Sequence, residues 1–131
     1  MIYLDSSALV KLLFQEPQSE ALESWLMARG DVPKLASSIS LVEVVRVCRR
    51  VDPDAEPAAR SLLRGLDLVP ITQAVLESAT QVGGASLRSL DATQLATALS
   101  IREDLECVVA YDRRLLEAAD SEGLPVASPA A

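Results

Sequence analysis

The sequence predicts an α/β fold in which a central, mostly parallel sheet is covered by helices. Short apolar runs alternate with amphipathic helical stretches from one end of the chain to the other, the pattern of strands joined through helices. The 131 residues are half hydrophobic, enough for one compact core, and no internal repeat or low-complexity tract interrupts them. A single domain over residues 1–131 is therefore expected.

Met1 to Leu4 reads as the first buried strand. A helix follows through Leu9, Leu12 and Leu13 and stops before Pro17, because the residue ahead of a proline is pushed out of the helical region. Ala21, Leu22, Trp25 and Leu26 share one face of a second helix. Leu35 and Ala36 mark a brief strand, after which Leu41, Val44, Val45 and Cys48 recur at helical spacing up to Asp52-Pro53-Asp54. This third helix carries Glu43. A fourth helix, around Ala58 to Arg64, ends at Gly65, a residue type that closes helices because it tolerates positive φ. Leu66 to Ile71 is the next strand. Thr72 can cap a helix through Val75, Leu76 and Ala79, which breaks at Gly83-Gly84. A further helix begins near Asp91 and carries Leu95, Ala98 and Leu99. Cys107 to Tyr111 is strongly strand-like, and Asp112 opens a short helix through Leu115, Leu116 and Ala119 that Gly123 closes. Leu124 to Val126 forms the last strand, and Ser128 to Ala131 is expected to be a disordered tail.

Composition removes several chemistries. The chain has no histidine, which excludes Ser-His-Asp and Cys-His catalysis and strips zinc sites of imidazole ligands that Cys48 and Cys107 alone cannot replace. Neither GxxxxGK[ST] nor GxGxxG occurs, so nucleotide-driven chemistry is not expected. The cysteines form no CxxC pair and are expected to be reduced. No apolar stretch approaches the roughly 18 uncharged residues of a bilayer span, and MIYLDSSALVKLLF lacks a basic start, so a cytoplasmic protein with no membrane partner is expected. The net charge of -7 opposes bulk attraction to nucleic acid. The positive charge is nevertheless almost all arginine, clustered at Arg46, Arg49, Arg50, Arg60, Arg64, Arg88, Arg113 and Arg114, and a local basic rim can coexist with an acidic total.

Four acids occupy comparable places: Asp5 and Asp112 follow buried strands, and Glu43 and Asp91 lie in the first turn of helices. Each has an ordinary structural explanation. Asp5 and Asp112 suit N-caps, and Ser40 to Glu43 and Asp91 to Gln94 both fit the spacing of a capping box. Taken together they mean more, because in an open parallel sheet strand C-termini and helix N-termini share the edge where ligands bind. Carboxylates gathered there repel one another, and a divalent cation resolves the conflict. Oxygen-only ligands select the hard ions Mg²⁺ or Mn²⁺. Such a site can place water for attack on a phosphodiester, with Asp5 and Asp91 as direct ligands, Asp112 completing the shell directly or through water, and Glu43 orienting or deprotonating the water.

The segments MIYLDSSALVKLL, Ser40-x-x-Glu43-Val44, LRSLDATQLATAL and AYDRRLLEAA…GLPV closely resemble those of PIN-domain proteins of the VapC toxin type, in order and spacing, over almost the whole chain. The resemblance implies a three-layer α/β/α PIN-like fold and Mg²⁺- or Mn²⁺-dependent endoribonuclease activity against structured RNA such as tRNA or ribosomal RNA. It carries the acid quartet onto Asp5, Glu43, Asp91 and Asp112. It also implies a homodimer and a cognate VapB-type antitoxin laid along the toxin's groove. Ser6 or Ser7 would stand beside the ligands, with Arg113 toward substrate. Two departures concern substrate contacts: family members often have His where Gln94 stands, and Ser, Thr or Asn near Ala110 or Tyr111.

The remaining candidates read mainly as structure. Phe14 and Trp25 fit the core, and Tyr111 fits burial better than stacking on a base. Arg46, Arg49 and Arg50 form a solvated helix face unless they border the acids, where they become a phosphate rim. Against the nuclease stand a non-catalytic module whose acids dock a basic peptide and a receiver-like phosphoacceptor; the latter lacks the paired acids and late lysine it requires.

Overall fold

The computed structural model describes residues 1–130. Five strands, β1 (Ile2–Leu4), β2 (Lys34–Ser37), β3 (Asp67–Val69), β4 (Cys107–Val109) and β5 (Val126–Ala127), form one sheet in the order β3-β2-β1-β4-β5. Every pairing is parallel, so the sheet is wholly rather than mostly parallel. The helices are α1 (Ser6–Leu13), α2 (Ser19–Met27), α3 (Ile39–Val51), α4 (Glu56–Arg64), α5 (Gln73–Ala79), α6 (Ser89–Leu99) and α7 (Arg113–Ser121).

Strand alternation divides the core into two layers. Ile2, Leu4 and Val109 face a cluster with Leu9, Leu22, Val44, Cys48 and Leu63, which come from α1 to α4. Tyr3, Leu35 and Val108 face the other side, where Leu95, Leu115 and Ala119 of α6 and α7 pack. The expected three-layer α/β/α arrangement is thus present, and burial of β1 on both faces explains why its residues are apolar without alternation. Beyond β1 the chain adds β2 and β3 on one side and β4 and β5 on the other. The strand ends at β1 and β4 therefore border the crevice that such a reversal opens.

Most elements fall where the sequence puts them, and the exceptions have local causes. β3 is shorter than Leu66 to Ile71 because it is an edge paired only to β2 and runs into Pro70, which has no N–H to give. β5 starts at Val126 rather than Leu124. The Leu124 N–H instead bonds the Ala119 carbonyl at 3.0 Å to close α7, made feasible by Gly123 at φ +83°. Gly65 ends α4 with φ -81°, so its freedom to adopt positive φ is not used. β4 stops at Val109, and α6 begins at Ser89, two residues before Asp91. The expected loose tail is corrected as well: Ser128 Oγ donates to Ala110 O at 2.8 Å and Tyr111 OH donates to Pro129 O at 2.7 Å, pinning Ser128 and Pro129 over the end of β4. Ala131 lies outside the described residues. Among the described residues no helix is long and apolar enough to cross a membrane.

Candidate active site

Asp5 sits where β1 ends. Its N–H bonds Val109 O at 3.1 Å, which carries the sheet pairing one step past the strand and holds the residue at the crevice. As N-cap of α1 it accepts Ser7 Oγ at 2.6 Å and Ala8 N–H at 3.2 Å, both on Oδ1. Oδ2 has no partner among the described residues. The side chain is only 4% exposed, yet among the described residues no buried side-chain oxygen is left wholly enclosed without a partner, so Oδ2 keeps a little accessible surface. Burial first, then the charges of Glu43 and Asp91, push the Asp5 carboxyl up to about 7, against the pull of its two hydrogen bonds.

Ser7 Oγ also accepts the Tyr111 N–H at 2.9 Å, which joins the turn after β1 to the turn after β4. That turn delivers Asp112 as N-cap of α7, with Oδ1 accepting Arg114 N–H at 2.9 Å and Leu115 N–H at 3.3 Å. Asp91, half-buried in the first turn of α6, is raised by burial and then by Asp112 and Glu43, while Arg88 and Arg114 pull the other way. Glu43 thus bears on both Asp5 and Asp91, and Asp112 bears on Asp91.

The capping explanations divide. They hold for Asp5 and Asp112 and fail for the other two, because Arg88 is the N-cap of α6 and Ser40 lies inside α3, which starts at Ile39 and so puts Glu43 past its first turn rather than in it. Urea unfolding is expected to show Asp112→Ala less stable by about 1 kcal/mol and Asp112→Asn nearly unchanged, so the Asn variant isolates whatever chemistry the carboxylate performs.

Glu43 is held instead by side chains. Its Oε1 accepts Ser6 Oγ at 3.0 Å and Gln94 Nε2 at 2.8 Å. Gln94, read from the sequence only as a departure from a family habit and a capping-box member, is 2% exposed and turns inward. Its amide bonds Tyr3 OH on one side and Ser6, Ser40 and Glu43 on the other. The signal for it was a glutamine beside Leu95 on an apolar helix face, since a buried polar group requires partners.

Ser6, Ser7, Glu43 and Asp112 line a cleft of about 460 Å³, together with Lys11 and Tyr111. Lys11, another residue overlooked in the sequence, sits 3.3 Å from Glu16 Oε1 and 4.8 Å over the Tyr111 ring. With one ring face under Lys11 and its hydroxyl bonded to Pro129, Tyr111 is a cleft wall rather than a stacking platform. Phe14 and Trp25 pack on the core, Trp25 under the Arg29 guanidinium. Arg49 and Arg60 share Glu56 at 2.8 and 3.0 Å, holding its carboxyl down to about 2. Arg49 is thus spent on an ion pair, and the arginines that act on the acids are Arg88 and Arg114. Arg113 is exposed as the first residue of α7.

Among the described residues no three acidic side chains stand as a ready ligand cage. Direct ligation of one ion by Asp5, Asp91 and Asp112 together is therefore not preformed. An ion that keeps several waters and takes one or two carboxylates suits the arrangement better.

The PIN-domain family model matches residues 2–121. A ribonuclease of Mycobacterium tuberculosis, VapC47, is 44% identical over 100% of this chain and 98% of its own. Among solved structures, the sarcin–ricin-loop-cleaving toxin VapC20 of the same organism superposes with a TM-score of 0.77 at 18% identity, over 98% of this chain and 100% of that one. VapBC2 from Rickettsia felis, bound to a DNA fragment from its promoter, gives 0.74 at 14% identity, over 97% and 98%.

Proposed function

The chain belongs to the PIN-domain family of VapC ribonucleases, and from that premise we infer that it is the toxin of a toxin–antitoxin pair, an endoribonuclease that hydrolyses phosphodiester bonds where Asp5, Glu43, Asp91 and Asp112 meet. Its partners are RNA and a cognate VapB-type antitoxin. Structured RNA such as tRNA or ribosomal RNA is the substrate class, the toxin acts as a homodimer, and its place is the cytoplasm.

One observation supports the site above the rest: Asp5 is almost wholly buried among other acids, yet one of its oxygens has no partner among the described residues. A carboxylate in that position calls for a cation. The donor set is oxygen only, which fits Mg²⁺ or Mn²⁺, with Asp5 and Asp91 as ligands and Asp112 joining through water. When bound, the ion supplies the positive charge that acidifies water and steadies the leaving oxygen. Glu43, whose Oε1 is pinned by Ser6 and Gln94, keeps Oε2 to take a proton from the attacking water. Arg88 and Arg114 beside Asp91 offer the phosphate contacts that a net charge of -7 denies the molecule as a whole.

The test is cleavage of RNA by purified protein in Mg²⁺ or Mn²⁺. EDTA is expected to stop it, and Glu43→Gln to slow it by about a hundredfold or more. Cleavage that continues in EDTA overturns the reading.

A further inference from the structure

Tyr3 and Glu43 lie on opposite sides of Gln94, and neither the phenol nor the amide lines the cleft. Tyr3 is fully buried in the layer between the sheet and α6–α7, out of reach of any substrate. Its hydroxyl donates to Gln94 Oε1. The two ends of a glutamine amide differ, one accepting and the other donating, and a phenol O–H selects the accepting end. The donating end then has to face the other way. Nε2 reaches Glu43 Oε1 at 2.8 Å, Ser6 Oγ at 3.0 Å and Ser40 Oγ at 3.1 Å, and the carboxylate makes the shortest of the three contacts.

We propose that Tyr3 and Gln94 are a positioning pair for Glu43: the phenol decides which end of the amide meets the carboxylate, and the amide decides which carboxylate oxygen is left for chemistry. Without the phenol O–H the amide is free to turn over. Its carbonyl oxygen then faces a carboxylate, two acceptors against each other, and Glu43 swings away. A residue of the far core layer thereby controls a group at the cleft, through partners 91 and 51 positions apart in the chain. The inference rests on the proposed role of Glu43.

The experiment compares Tyr3→Phe, Gln94→Met, the double variant and Glu43→Gln, each first shown to be folded by urea unfolding. Tyr3→Phe removes one oxygen and preserves the ring. Its kcat on RNA is expected to fall about 10- to 100-fold with KM within about twofold. The double variant is expected to be no slower than Gln94→Met, since both substitutions break one connection. A second readout needs no activity: in metal-free, ¹⁵N-labelled protein the Gln94 side-chain NH₂ signals are expected to resist solvent exchange, and to lose that protection in Tyr3→Phe. Wild-type kcat in Tyr3→Phe while Glu43→Gln is inactive overturns the pairing and leaves the nuclease reading standing, as do effects of the two substitutions that simply multiply. Wild-type kcat in Glu43→Gln removes the proposed role of Glu43, and the pairing with it.

Discussion

Asp5→Asn is expected to abolish RNA cleavage while making the metal-free protein more stable at neutral pH. The amide has the shape of the carboxylate and keeps an oxygen for Ser7 and the Ala8 N–H, so α1 retains its cap. What it removes is a charge held at 4% exposure beside Glu43 and Asp91. In the folded chain the Asp5 carboxyl is raised from its ordinary 3.8 to about 7. The folded state therefore binds a proton over a range of pH where the unfolded state has lost it. Stability from this group is complete below 3.8 and is lost as pH rises through 7. Above that the ionised carboxyl costs on the order of 4 kcal/mol, which the amide does not incur. Calorimetry of metal-free protein at pH 7.5 should place the Asn variant higher in Tm by on the order of 10 °C, an advantage that shrinks on acidification and vanishes near pH 4. Activity should fall by at least about a thousandfold, the several kcal/mol that a metal-centred site contributes. An Asn variant that melts below the wild type, or cuts RNA as well as it does, contradicts the account of Asp5.

The same raised carboxyl makes ion binding compete with a proton. Between pH 8 and pH 5 the affinity for Mn²⁺ or Mg²⁺ is expected to weaken about a hundredfold, because at two units below about 7 only about one molecule in a hundred has Asp5 ionised. The upward shift of Asp91 acts in the same direction. Titration calorimetry in buffers of different ionisation enthalpy near pH 6 should register release of about one proton per ion. Cleavage at subsaturating metal should follow the same curve in the wild type, and the ion affinity of Asp5→Asn should vary less with pH. Affinity that stays constant from pH 5 to 8 in the wild type is the result that this electrostatic picture does not survive.

Much of the frame is legible in residue type and period. Apolar recurrence located the seven α-helices, and the acids stood out because Asp5 and Asp112 follow strands, Asp91 opens a helix and Glu43 lies near the start of one. The rest depended on partners that the period does not report. Ser40 to Glu43 has capping-box spacing, but Ser6 and Gln94 compete for the same side chains and take them. Arg49 looked available until α4 placed Glu56 against it. The tail carries too little apolar surface to signal order, yet Ala110 and Tyr111 hold it.

By itself, then, the sequence determined the α/β alternation, the absence of histidine chemistry and three of the four carboxylate positions, Asp5 and Asp112 after strands and Asp91 at a helix start, because these follow from local propensity and residue identity. Only the tertiary structure decided which oxygen of Asp5, Glu43 and Asp112 takes the hydrogen bonds, that Asp5 is buried enough to hold a proton near neutrality, and that Gln94 links Tyr3 to Glu43. Those properties arise from contacts between residues tens of positions apart. A buried polar atom takes its partner from whatever the fold brings beside it, and its charge is set by the water and the neighbours that remain there.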